Sequence, residues 1–281
     1  MCRYWISEFA IDGIRFDEST GFYDPDRHGD RGLPKLIARL RRWLPSVGRP
    51  NFPLILEHEW NYSSIDVVNR VDASSCWLDP FRGETRSFLT NRHVRPSIMQ
   101  LLDSARDFAP GRTPVTYIEN HDHESFMINA GNRDEWWRTQ PHAIALLTCS
   151  GAPMIHNGQE YGERYPMPED DSHSPPSIDP AVKRVVPRPL LWPQKDDPIG
   201  GSLLDLYRRI IRLRTNHPGL TSPNFHPRGW DESRNQLDQD GFGIDEARQL
   251  VVYHRWGNAA DARLEKFYIA SIFPNGRKLS K

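Results

Sequence analysis

Three carboxylates stand where chemistry could be done. Asp17 follows the run Ile14-Arg15-Phe16, Glu57 follows Leu54-Ile55-Leu56, and Asp122 comes shortly after Val115-Thr116-Tyr117-Ile118. Intervals of 40 residues (17 to 57) and 65 (57 to 122) put them in different local units that could converge on one cleft. Two carboxylates, one kept ionised as a nucleophile and one kept protonated as an acid, are the minimum for hydrolysing a glycosidic bond. Acids at strand ends serve many α/β enzymes, so spacing alone leaves the reaction open. Arg15 sits two residues before Asp17, and a strand points both side chains to the same face. A guanidinium there keeps a carboxylate ionised, as a nucleophile must be. An ordinary surface Arg–Asp pair reads the same way.

The elements that must position these acids are short. Ile11 to Phe16 reads as a first strand after a helical end over residues 1–9, and Leu33 to Leu44 as an amphipathic helix with Leu36, Ile37, Leu40 and Leu44 on one face. Leu54 to Leu56 is continuously apolar, as in a parallel strand buried on both faces. Ile65–Val68 and Ser75–Leu78 read as short strands around a turn. Helices are expected over Ser97–Phe108, Trp136–Cys149 and Leu203–Leu213, strands over Pro114–Ile118 and Ala152–His156, and a loop over Arg164–Ile199. Beyond residue 219 the composition shifts to a small β region with strands near Leu250–Tyr253 and Lys266–Ala270. Strand–helix alternation predicts an α/β architecture with a parallel sheet, whose active site lies past the strand ends.

With 36 basic against 37 acidic residues the net charge is -1, and nothing calls for a nucleic-acid or anionic-membrane partner. Cys2, Cys76 and Cys149 are widely spaced and read as reduced thiols, with neither a disulfide framework nor a zinc site. No apolar run is long enough to span a membrane and Met1–Trp5 carries no signal-peptide core, so a cytoplasmic location is expected. His58, His121, Asp122 and His123 raise a metal site as an alternative, but no recognisable ligand spacing completes it. Trp60 reads equally as a sugar-stacking platform or as a packed rim residue. Trp136 and Trp137 read as packing, and Glu160 as a loop acid.

Five segments together resemble the α-amylase family of glycoside hydrolases (glycoside hydrolase family 13). They are Phe9–Asp17, Leu54–Glu57, Tyr117–Asp122, Gly151–Gly162, which is similar to the family's eighth-strand segment, and Leu206–Arg214, which is similar to its last barrel helix. They run in family order. The resemblance implies that Asp17 is the nucleophile, Glu57 the general acid and later base, and Asp122 the residue that binds sugar hydroxyls and stabilises the transition state. It implies substrate-binding roles for Arg15, Asn120, His121 and Trp60. Glu59 rivals Glu57, and Glu57 is favoured because it directly follows the apolar strand. The implied substrates are α-1,4-glucans such as starch, glycogen or maltooligosaccharides, cleaved with retention. A glucan-branching or trehalose-forming transglycosylase shares the same acids.

The family's barrel has eight strand–helix units, and Asp17 matches the acid that ends strand four. Residues 1–219 are therefore expected to be the C-terminal part of a (β/α)8 barrel, about strands 4 to 8, and 220–281 a partial all-β domain. The family's first conserved region, which supplies a substrate-binding His and in many members a calcium ligand, has no counterpart, so no cofactor is expected. A truncated gene, a gene-model fragment or one half of a split protein would each give such a chain, with a separate N-terminal half as a possible partner. Weak or no activity alone is the expectation, and a glucan-binding remnant without catalysis is the alternative from another class.

Overall fold

Leu54, Ile55 and Leu56 carry no polar side chain, and they form a strand whose two leucines are fully buried. The computed structural model describes residues 1–58, 61–131, 133–164, 189–257 and 266–274. These fall into two compact units, one of residues 1–80 and 105–116, the other of residues 81–104 and 117–281.

The first unit is built on parallel strands. In chain order it contains α1 (Cys2–Phe9), β1 (Ile14–Phe16), α2 (Pro25–His28), α3 (Leu33–Trp43), β2 (Leu54–Leu56), α4 (Ser63–Val71), β3 (Ser75–Cys76) and β4 (Val115–Thr116). β1 pairs with β2 and β2 with β3, and Trp77 bridges Val115, all in parallel. The expected α3 is present, with Leu33, Ile37 and Leu40 turned into a core that also holds Leu54, Leu56, Val68 and Cys76.

Two expectations change here. The first strand begins only at Ile14. Ile65–Val68, read as a strand from its β-branched residues, lies inside α4. There Ile65, Val68 and Val71 recur at helical spacing and are buried, so tertiary packing outweighs their weak helix propensity.

The second unit contains α5 (Asp79–Asn91, entering from the first unit), α6 (Ile98–Leu102), α7 (Phe126–Asn129), α8 (Gln140–Thr148), β5 (Ala152–Pro153), α9 (Pro198–Asn216) and α10 (Pro218–Thr221). An antiparallel sheet follows: β6 (Phe225–His226) and β7 (Gly243–Asp245) pair with β8 (Leu250–Trp256), as does β9 (Lys266–Ile272). Residues 250 to 256 alternate between half-buried and buried positions, and Val251, Tyr253 and Phe225 join Ile98, Leu101 and Leu146 in one core.

The helix expected over Ser97–Phe108 ends at Leu102, and the one expected from Trp136 begins at Gln140 behind a 3-10 stretch, Arg133–Thr139. α9 is longer than expected because Asp197 caps it: its Oδ1 accepts the N–H groups of Ile199 (3.0 Å) and Gly200 (2.8 Å). Most of the loop expected over Arg164–Ile199 lies outside the described residues. No helix among the described residues is long and apolar enough to cross a membrane.

Candidate active site

In the first unit the parallel register decides where the acids go. Phe16 is paired with Leu56, so Asp17 and Glu57 are each the first residue past their strand, and the Glu57 N–H donates to Phe16 O at 3.0 Å. Arg15 and Asp17 share a face, as period-two geometry requires. Arg15 Nη1 lies 2.6 Å from Asp17 Oδ1 and Arg15 Nη2 lies 2.6 Å from Glu57 Oε2. One guanidinium thus holds both carboxylates. The side chain of Asp17 is 78% exposed and that of Glu57 only 11%, so the two acids differ sharply in environment. Such a difference lets paired carboxylates take different roles.

Three further residues fix this arrangement. The ring of Trp77, one residue past β3, lies beneath the guanidinium, with Arg15 Cζ 4.0 Å from its centroid. Glu18 turns the chain sharply with φ +38°, a left-handed conformation that costs a non-glycine residue about 1 kcal/mol. That turn aims the Glu18 N–H at Glu57 Oε2, 2.9 Å away. Ser19 is fully buried, and its N–H (2.7 Å) and Oγ (2.8 Å) both donate to Glu57 O. Ser19 Oγ has spent its one proton on that carbonyl, so the 2.9 Å contact with His58 requires Nδ1–H of His58 as donor.

Sequence reasoning missed Trp77 and Ser19. Trp77, inside the short apolar run Cys76-Trp77-Leu78, carried only a packing signal. Ser19 had none. Glu59 and Trp60, the rival acid and the expected platform, lie outside the described residues.

The remaining predicted residues share one loop of the second unit. Tyr117, Ile118, Glu119 and Asn120 are buried in succession, and the chain then turns outward. Asn120 Oδ1 accepts the Asp122 N–H at 3.1 Å, and the His123 N–H reaches Asn120 O at 3.5 Å. His121 is 60% exposed and Asp122 21%, with Nε2 3.5 Å from Oδ2. Asn120, His121 and Asp122 are therefore brought together, with Asn120 the buried anchor and the other two facing outward.

Beneath this loop Glu119 Oε2 accepts the Phe126 N–H at 2.6 Å, and Oε1 lies 3.6 Å from His156 Nδ1 in the segment after β5. Burial pushes the Glu119 carboxyl up from its usual 4.5, against the pull of His156 and the Phe126 N–H. In the same segment the Gly158 N–H donates to Glu160 Oε2 at 2.9 Å, which suits a loop acid. Trp136 packs against the core, as expected.

A parallel α/β unit that ends in two acids on one guanidinium is the kind of site that acid-pair hydrolases use. No family model matches the chain. Among curated proteins it is similar to α-amylase 2 of Dictyoglomus thermophilum, 22% identical over 80% of this chain and 36% of that protein. It is also similar to the malto-oligosyltrehalose trehalohydrolase of Rhizobium sp., 24% identical over 79% of this chain and 46% of that protein. The chain thus spans about a third to a half of the length of these relatives.

Solved structures of like fold include the α-amylase of H. orenii (TM-score 0.65, 16% identity, 96% of this chain and 52% of that one). Another is AmyP in complex with maltose (TM-score 0.59, 14% identity, 91% and 54%). The curated relatives indicate a likeness to the α-amylase family of glycoside hydrolases, and the solved structures share the fold.

Proposed function

We propose that this chain is the part of an α-amylase-type enzyme that carries the acids of a retaining hydrolysis of α-1,4-glucans. In this reading residues 1–219 form the C-terminal part of the (β/α)8 barrel and 220–281 a partial β domain. The observation that carries the reading is the single guanidinium of Arg15 shared by Asp17 and Glu57.

The chemistry runs in two steps. Asp17 attacks the anomeric carbon as Glu57 gives its proton to the leaving glycosidic oxygen, and a covalent glycosyl-enzyme forms. Glu57, now a carboxylate, takes a proton from water, and the resulting hydroxide displaces Asp17 with net retention. Asp122 and His121 bind hydroxyls of the reacting sugar, Asn120 is the buried anchor of their loop, and Trp60 takes the stacking role. The first step needs a proton on Glu57 and none on Asp17. A guanidinium favours ionised partners, so in the reacting arrangement Arg15 stays on Asp17 and releases Glu57.

The test is incubation of the purified chain with maltoheptaose, with product anomers followed by NMR and binding by calorimetry. New reducing ends of retained configuration, lost in Asp17→Asn, support hydrolysis by the chain itself. New branches or trehalose-type products move the reading to a transglycosylase of the same family. Binding without turnover supports a chain that needs a further barrel segment to act, or a glucan-binding remnant. Neither binding nor turnover overturns the proposal for this chain.

A further inference from the structure

The mechanism uses Asp122 but leaves unexplained why a buried acid stands three residues before it. Glu119 is 2% exposed, and among the described residues its Oε1 has no hydrogen-bond partner. At 3.6 Å, His156 Nδ1 is at ion-pair distance and too far for a hydrogen bond. The other oxygen accepts the Phe126 N–H, so the side chain of Glu119 closes a loop whose far end is the first residue of α7. Within that loop the Asp122 N–H donates to Asn120 Oδ1 and the His123 N–H to Asn120 O, and Glu124 Oε1 accepts from Arg86 Nη2 and Asn129 Nδ2. The buried Glu119 carboxyl thus joins the start of the turn carrying Asp122 to its far end at Phe126.

We propose that Glu119 is a positioning residue: its carboxyl clips the Asn120–Ser125 loop through the Phe126 N–H and, with His156, makes the setting of Asp122 depend on pH. The link to Asp122 as a sugar-binding acid rests on the glucan reading above; the clip itself does not.

The direction follows from what surrounds the carboxyl. His156 favours its charge and Glu160, in the same segment after β5, opposes it, while Tyr207 of α9 feels the field of both acids. Burial outweighs the favourable contacts, so the folded state holds the proton more tightly than an unfolded chain does. The stability that Glu119 contributes is therefore complete below 4.5 and is lost as pH rises through its raised folded value. Protonated Glu119 and a glutamine present the Phe126 N–H with the same kind of neutral acceptor. A charged Glu119 differs from both.

Hydrogen–deuterium exchange of the full chain tests this, comparing wild type, Glu119→Gln and Glu119→Ala from pH 4.5 to neutrality. Glu119→Ala is expected to speed exchange of the 120–126 amides about tenfold, as for one lost buried hydrogen bond, while the amides of β8 stay as in wild type. Unchanged exchange of 120–126 in a folded Glu119→Ala overturns the clip.

Glu119→Gln is expected to match wild type at acid pH and to stay better protected as pH rises. A wild-type to Gln ratio that does not move with pH overturns the pH dependence, and this arm stands even if Glu119→Ala fails to fold. Calorimetry with maltoheptaose is run alongside. The expected exchange pattern with no sugar binding in any variant supports the clip and removes the glucan reading alone.

Discussion

Arg15 reaches from β1 across to Glu57, its Nη2 2.6 Å from Oε2, while its Nη1 holds Asp17 at the same distance. Glu57 is the more buried partner, so it has the most to lose if the cation goes. Arg15→Ala is expected to cost about 1–3 kcal/mol, because the largely buried Glu57 carboxylate keeps the Glu18 N–H but loses its cation. Chemical denaturation measures it. Adding Glu57→Gln to Arg15→Ala should recover part of the loss, because the amide removes the unpaired charge. A double variant as unstable as the sum of the two single ones would show that the pair is not coupled. Arg15→Lys keeps a charge but cannot serve two carboxylates or lie flat on Trp77, so it should fall between wild type and Ala.

Ser19 makes a second prediction. Its hydroxyl joins Glu57 O to His58 Nδ1 where no solvent reaches. Ser19→Ala leaves the backbone N–H on Glu57 O but strands the His58 donor, and is expected to lower stability by about 1–2 kcal/mol. The same urea titration reads it. A change well under that range would mean that another acceptor takes over the imidazole.

These two residues show how legibility divided. Glu57 was legible because β2 is an unbroken apolar run and the first polar residue after it marks the strand end, and Asp17 because Ile14 and Phe16 flank Arg15 in strand alternation. α3 and α9 were legible from their apolar stripes. Ile65, Val67 and Val68 misled because β-branching speaks for a strand while their burial comes from helical packing. α5 was missed because Asp79–Asn91 mixes Gly83 with many polar residues and shows no strong stripe. Ser19 acts through two long-range hydrogen bonds, and a partner 38 or 39 residues away leaves no local trace. Trp77 becomes notable only once the register puts it under Arg15.

His142 supplies a pH prediction. It is fully buried in α8, edge-on to Phe126 and Phe273, and burial with the nearby Arg138 charge pushes it down to about 3 from 6.5. The folded state therefore refuses a proton that the unfolded chain accepts. Above 6.5 neither state is protonated and the full stability is present; between 6.5 and about 3 it falls as pH falls, by up to about 1.4 kcal/mol per pH unit. Thermal melts of wild type and His142→Leu over that window should diverge, with wild type losing more. Parallel curves would place the acid sensitivity elsewhere.

The end of α8 makes the last prediction. A helix leaves its final carbonyls without intrahelical donors, and here two buried arginines supply them. Arg214 of α9 donates to Leu147 O (2.9 Å), Cys149 O (3.1 Å) and Gly151 O (2.5 Å), and Arg255 of β8 donates to Thr148 O (2.5 Å). Arg255 also donates to Asn224 O (2.7 Å), Leu220 O and Ser222 O. It is completely buried, and burial pushes its guanidinium down to about 10, so it remains a cation at neutral pH. Its charge is met by carbonyl dipoles at the negative end of α8. Arg255→Met keeps the length and loses every donor, so several carbonyls are left dry at once. The expected loss is at least about 3 kcal/mol, read as a lower urea midpoint. Arg255→Lys should lose nearly as much, because one ammonium cannot reach carbonyls of α8, α10 and the segment before β6 together. A lysine variant as stable as wild type would show that charge alone holds this junction; a loss close to that of Met shows that the fork of the guanidinium does.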